Sequence, residues 1–175
     1  YARRLKQISN RYIELLNRIP AEPAVNQRYT FQLDQTMLSM LLQNGDSLVD
    51  EILLQGGEFN PWLFQDYVSP SYQRGTAQEF ANLAQQSAAY EAYRGSVQDI
   101  LLSDAYQNRL VLVRARTFEE MKGLSADVKQ NLSRVLTDGI GRGQNPKEVA
   151  RRIRDQIGIE QGRANRIART EITTA

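Results

Sequence analysis

The sequence predicts an all-α protein, an elongated assembly of long helices that ends in a small helical module. Three observations point there. Apolar residues recur at helical spacing through almost every segment of the chain. Prolines and glycine pairs punctuate the gaps between those runs. The composition is rich in amides, with 17 Gln and 10 Asn in 175 residues, and the mean hydropathy is −0.52. Such polar surfaces suit long solvated helices, while an apolar content of 41% still allows one real core.

The first run covers residues 3–18, with Leu5, Ile8, Tyr12, Leu15, Leu16 and Ile19 on one face, and Pro20 and Pro23 stop it. A second helix is expected from Thr30 to Leu54, with Leu33, Met37, Met40, Leu41, Leu48 and Ile52 aligned. Phe31, Leu38, Leu42 and Val49 widen that face, so this helix is expected to be central. Gly56 and Gly57 close it. The stretch Phe59 to Pro70 carries the sole Trp and two prolines without a period, which reads as an ordered aromatic loop within residues 56–70. Trp62 is its candidate anchor, either inside the protein or on a partner chain.

From Ser71 to Tyr93 an alanine stripe (Ala77, Ala81, Ala84, Ala88 and Ala92, with Phe80) suits close helix approach in a bundle or an oligomeric seam. Gly95 interrupts it, and a helix from Val97 to Met121 follows. Leu110 to Val113 has strand propensity, but the period on both sides favours helix. Ser125 is placed to cap the next helix, which carries Val128, Leu132, Val135, Leu136 and Ile140 and ends at Gly139, Gly141 and Gly143. Asn145, Pro146 and Glu148 then supply a cap, a first-position proline and a third-position acid for a helix striped by Val149, Ile153 and Ile157. Gly158-Ile159 reads as its stop, and a last helix from Glu160 to Thr174 puts Ala164, Ile167, Ala168 and Ile172 on one side. The organisation expected is a helical N-terminal region, 1–115, and a module, 116–175.

Composition excludes much chemistry. There is no Cys and no His, so disulfides, thiolate nucleophiles, Cys/His zinc sites and imidazole bases are ruled out. No cofactor is implied. No run approaches the length of a membrane span, and no basic-then-apolar leader is recognised. The chain opens at Tyr1 rather than Met, which reads as a processed or trimmed product. Gly139-x-Gly-x-Gly143 follows no strand and precedes no Lys-Ser/Thr pair, so a helix stop is favoured over a phosphate cradle.

Charge is unevenly placed. Residues 1–20 and 141–175 each carry a net +4 and leave the middle at −6. Basic ends of this kind suit a polyanion or an acidic partner, and equally ordinary solvated faces. Arg151, Arg152 and Arg154 lie on one helix, while Arg163, Arg166 and Arg169 recur every three residues on the next. All six are the candidate nucleic-acid or partner-binding residues, and the last three form a slanted ridge that neutralises phosphates without reading bases. Solvation or pairing with neighbouring acids is the competing reading.

The order of these elements, and above all Arg163-Ala-Asn-Arg-Ile-Ala-Arg-Thr-Glu171, resembles the phage Mu F-like head morphogenesis family of minor capsid proteins. Gly143, Val149, Ala150, Arg163, Ala164, Ile167, Ala168, Arg169, Thr170, Glu171 and Ala175 carry the likeness. It covers about a third of the chain, from Thr117 onward. Family members often continue past the Thr-Glu helix, so the module is expected to be truncated here. The resemblance implies a minor head protein of the virion, oligomeric or in several copies, inside the capsid near the portal vertex. Its expected partners are the portal protein, the major capsid protein and genomic double-stranded DNA, and its expected work is head assembly, DNA packaging or genome delivery. The host cytoplasm would hold it during assembly.

Two other readings stand beside that one. A free-standing, sequence-tolerant DNA-binding module would use the same arginines. An enzyme domain attached to a head protein is disfavoured, because Glu171 is followed by Ile172 and Thr173 and so lacks the Glu-x-Glu pair of a transferase. Glu171 flanks the buried stripe and needs a partner there. A structural clasp is expected, formed by Thr170 and Glu171 with one of Arg151, Arg152 or Arg154, across two helices folded back at Gly158. No catalytic residue is assigned. Adjacent acids such as Asp50-Glu51 read as solvated.

Overall fold

A computed structural model describes residues 1–174. Ala175 and the side chains of Ala88, Glu91 and residues 172–174 lie outside that description, and with them the expected roles of Ala88, Ile172 and Ala175. The chain is 81% helical. Among the described residues the helices are α1 (Ala2–Asn17), α2 (Gln35–Leu53), α3 (Ser69–Gln86), α4 (Ala88–Arg94), α5 (Val97–Leu101), α6 (Asp104–Gly141) and α7 (Pro146–Thr174). A small hairpin pairs β1 (Ala21–Pro23) with β2 (Tyr29–Phe31). No described helix is long and apolar enough to cross a membrane.

Two compact units divide the chain. One takes Tyr1–Gln55 with Met121–Arg166, and the other Gly56–Glu120 with Ile167–Ala175. Residues 1–115 therefore do not form a unit of their own, and the stretch 116–175 contributes to both.

The core of the first unit is built by four helical segments. Leu5, Ile8, Tyr12 and Leu16 of α1 are buried, as are Val49, Ile52 and Leu53 of α2. Met121, Leu124, Val128, Leu132 and Leu136 of α6 join Val149, Ile153 and Ile157 of α7. The i, i+3, i+4 spacing in α1, α6 and α7 is the apolar stripe read from the sequence, whereas in α2 Leu53 lay outside the face read there. The α6 and α7 segments run antiparallel in this unit. Asp138 bonds Arg152, Asn131 bonds Glu160 and Asp127 bonds Arg163, so partners step down one helix as they climb the other.

Several boundaries differ from expectation. Helix α2 starts at Gln35, because Asp34 is extended and its carboxylate accepts from the Met37 amide at 2.7 Å. Thr30 belongs to the hairpin, whose three-residue strands, one of them ending in Pro23, leave little pattern to read. The central position expected of α2 holds for its C-terminal half alone, since Met37 and Met40 are 54% and 59% exposed. The aromatic loop is shorter than 56–70, for helical backbone runs from Trp62, with a π-helical stretch at Phe64–Val68 leading into α3. Pro61 precedes that stretch, where a missing N–H costs nothing, and Pro70 sits where the π-helical stretch passes into α3.

Ser87, in extended conformation, splits the expected 71–93 helix into α3 and α4. Phe80 is buried, but Ala81 and Ala92 are exposed, so no continuous small-residue seam is buried. The expected 97–121 helix is also broken. A Ser96/Asp99 capping box opens the short α5, and the Ser103 hydroxyl accepts from the Tyr106 amide at the start of α6. Leu110 to Val113 are helical, as preferred. Ser125 is no cap. It lies inside the 38-residue α6 and donates to Asp50 at 2.6 Å, while Lys129 bonds the other Asp50 oxygen at 2.8 Å. Asp50 is thus a tether for α6 rather than a solvated acid.

Candidate functional site

The C-terminal helical hairpin turns at Gly141–Asn145, as the sequence implied. Gly143 has φ +63°, and a Cβ there would stand 2.7 Å from the Tyr29 carbonyl oxygen. Its own carbonyl accepts from the Tyr29 amide at 2.8 Å, so the β-hairpin seals the turn. Asn145 accepts from the Lys147 amide at 2.9 Å through its side chain and caps α7. Gly139 serves packing, because a Cβ on it would meet a Val149 methyl at 2.6 Å. The glycine triplet is therefore a helix stop and a close approach, not a phosphate cradle.

Gly158-Ile159 does not end a helix. Gly158 is absent from the glycines with positive φ, Ile159 is exposed, and α7 runs 29 residues through both. Glu171 therefore cannot fold back onto Arg151, Arg152 or Arg154, and those expected partners are wrong. The expected burial of Glu171 and its grip by an arginine are both present. Its carboxylate is 3% exposed and lies 3.1 Å from the Arg116 guanidinium, on α6. The Thr117 hydroxyl approaches the second carboxylate oxygen at 3.4 Å and donates to the Val113 carbonyl at 2.8 Å. Thr170, the other expected clasp residue, is exposed. Glu171, Arg116 and Thr117 meet in the clasp.

Sequence reasoning missed a second buried acid. Glu160 accepts from the Asn131 amide at 2.7 Å and the Gln156 amide at 3.0 Å. Its place one step from Ile157 and Ala164 on the apolar side of α7 was the available signal.

The two sets of arginines do not share one face of the helix. At about 100° per residue, Arg154 and Arg163 point to opposite sides of the helix. Arg163 pairs with Asp127, Arg152 with Asp138 at 2.9 Å, and Arg151 with Glu148 at 2.6 Å. The Arg152 hydrogen bond, with Arg142 adding to it, holds the Asp138 carboxyl below the usual carboxylate range. Arg169 is exposed, in the other unit. Arg154 and Arg166 are exposed and enter no ion pair among the described residues. These two keep a cation available to a partner.

Trp62, the expected docking anchor, is 7% exposed and meets the Tyr67 ring edge-on at 6.2 Å. It serves internal packing here, and Phe59 and Tyr67 are the exposed aromatics of the segment. Among the described residues no group of acids, His or Cys is placed to hold a metal. No family model matches the chain, and no curated protein or solved structure matches it either.

Proposed function

We propose that this chain is a phage minor head protein, associated with the portal inside the capsid and acting in head assembly, DNA packaging or genome delivery. The reading starts from the Arg163–Glu171 run and is supported above all by how that run is used. Arg163 is engaged by Asp127, Ala164 is fully buried, and Glu171 is occupied by Arg116. A motif spent on holding helices together suits a scaffold part of a particle. A reacting carboxylate would instead face a cleft beside a second matched group.

In this reading residues 116–175 are the head-morphogenesis module, the helices form an elongated assembly, and several copies act together. The portal protein, the major capsid protein and genomic double-stranded DNA are the partners, in the virion interior and, during assembly, in the host cytoplasm. Co-expression of the tagged chain with a portal and a major capsid protein of its phage tests the proposal. Recovery of the chain with portal rings is expected. Recovery with neither rings nor capsid shells overturns it.

A second reading, a free-standing DNA-binding module, is favoured by one observation, the exposed cations Arg154 and Arg166, which enter no ion pair among the described residues. Duplex binding by the chain alone, with no affinity for portal or shell, would select it.

A further inference from the structure

Between α1 and α7, within the first unit, lies a groove of about 480 Å³. Arg3 and Lys6 stand on its α1 wall and Arg154 on its α7 wall, and among the described residues no Asp or Glu lines it. All three cations are exposed, and among the described residues none enters an ion pair. Asn10 and Gln161 add amides, one on each wall. The positions agree with helical geometry, since 3, 6 and 10 share one face of α1, and 154, 158 and 161 share one face of α7.

Gly158 is also informative. Gly158 lies in the groove, and a Cβ on it would meet nothing within 4 Å. A glycine inside a helix costs about 1 kcal/mol against alanine. Packing does not require it at this position, so what it leaves is open space between the cationic walls. The sequence placed net charges of +4 at each end of the chain. The fold brings cations from both ends to one groove, although the rest of the chain is net acidic.

We propose that the α1–α7 groove binds the phosphate backbone of double-stranded DNA without regard to base sequence. Walls of one charge sign focus the field on an anion between them. Arg and Lys from opposite walls can each meet a non-bridging phosphate oxygen. The duplex backbone presents acceptors, which these donors answer. An acidic peptide carries charge of the same sign, so poly-glutamate is the competitor in the test below. The proposal rests on the DNA contact in the function proposed above. It moves that contact from the supposed ridge to a site that includes α1.

The test is duplex binding by the full chain, followed by fluorescence anisotropy across a salt series with two unrelated sequences. Equal affinity for both and a steep salt dependence are expected. The triple variant Arg3→Gln/Lys6→Gln/Arg154→Gln should make the log K against log salt slope shallower by about 2 to 3 units, near 0.9 for each phosphate no longer neutralised. Arg163→Gln, whose arginine is engaged by Asp127, should leave the slope unchanged. Gly158→Leu fills the groove without altering charge and should weaken binding several-fold while the melting curve stays cooperative. If the chain binds duplex and the triple variant keeps the wild-type slope, the groove is wrong while the DNA contact survives. If the chain binds no duplex, the DNA contact fails as well, and recovery with portal rings remains a separate question. Displacement of duplex by poly-glutamate at equal charge would overturn the nucleic-acid assignment.

Discussion

Arg116 and Glu171 meet at 3.1 Å with unequal burial, the guanidinium 53% exposed and the carboxylate 3%. The inequality sets the direction of a mutational test. Arg116→Gln strands a buried carboxylate with little beyond the Thr117 hydroxyl, which is expected to cost about 3 kcal/mol. Glu171→Gln leaves a half-solvated arginine and is expected to cost about 1 kcal/mol, since an exposed cation needs no partner. Chemical denaturation of the two variants measures both. A larger loss from Glu171→Gln than from Arg116→Gln would mean that the pair is not the clasp.

Two glycines of the C-terminal hairpin should respond to alanine with opposite signs. Gly139→Ala drives a methyl into Val149 and is expected to destabilise by about 1–3 kcal/mol through overpacking. Val149→Ala in the same chain should restore part of the loss. Gly158→Ala meets open space and should stabilise by about 0.5–1 kcal/mol through helix propensity. Thermal melts read all three, and a gain from Gly139→Ala would contradict the close approach.

The Asp50 tether gives a third expectation. Asp50 joins α2 to α6 through Ser125 at 2.6 Å and Lys129 at 2.8 Å, in a half-exposed setting. Asp50→Asn keeps a hydrogen bond to Ser125 and loses the charge pair, so a loss of no more than about 1 kcal/mol is expected. That loss should shrink further at high salt. A double-mutant cycle with Lys129→Gln isolates the pair term, and a coupling near zero would remove Lys129 from the tether.

What the sequence made legible was periodic or capped. The face of α1 from Leu5 to Leu16 appeared as read, as did the Asn145-Pro146 start of α7 and the glycine turn before it. Glu171 was legible as a buried acid needing an arginine, because its place beside Ala164 and Ile167 is a matter of spacing. Its partner was not, because Gly158 was taken as a stop. A glycine ends a helix when the backbone turns left-handed there, and flanking side chains decide that. Ile157 and Ala164, both buried in the first unit, carry α7 straight through Gly158. The exposure of Met37 and Met40 has a similar origin, since amphipathicity marks an apolar face without saying how far a partner reaches along it. The arginines misled because a three-residue repeat says nothing of acids on a neighbouring helix, such as Asp127 and Asp138. Arg3 and Lys6 became relevant once α1 lay beside α7, a long-range pairing of helices that no local pattern encodes.

The last prediction concerns alkaline pH. The Tyr12 ring is fully buried with its hydroxyl against Gly45, where a Cβ would stand 2.6 Å from the phenol oxygen. Among the described residues that oxygen has no hydrogen-bond partner of good geometry. Burial pushes the phenol up to about 12 from 10.0; the Ser133 hydroxyl pulls it partly back and the Asp46 charge adds to the rise. A group whose folded pKa is raised holds its proton in the folded state after the unfolded chain has released it. The associated stability is complete below pH 10 and is lost as pH rises from 10 to about 12. Two pH units at about 1.4 kcal/mol each set the loss near 3 kcal/mol. Tyr12→Phe removes the ionisation and relieves an unsatisfied buried hydroxyl, so its stability at neutral pH should match or slightly exceed wild type. The variant should also lack the part of the alkaline decline that Tyr12 contributes. Denaturant midpoints of the two proteins at neutral pH and near pH 11 measure the difference, and parallel declines in both would mean that Tyr12 ionises as freely in the folded chain as in the unfolded one.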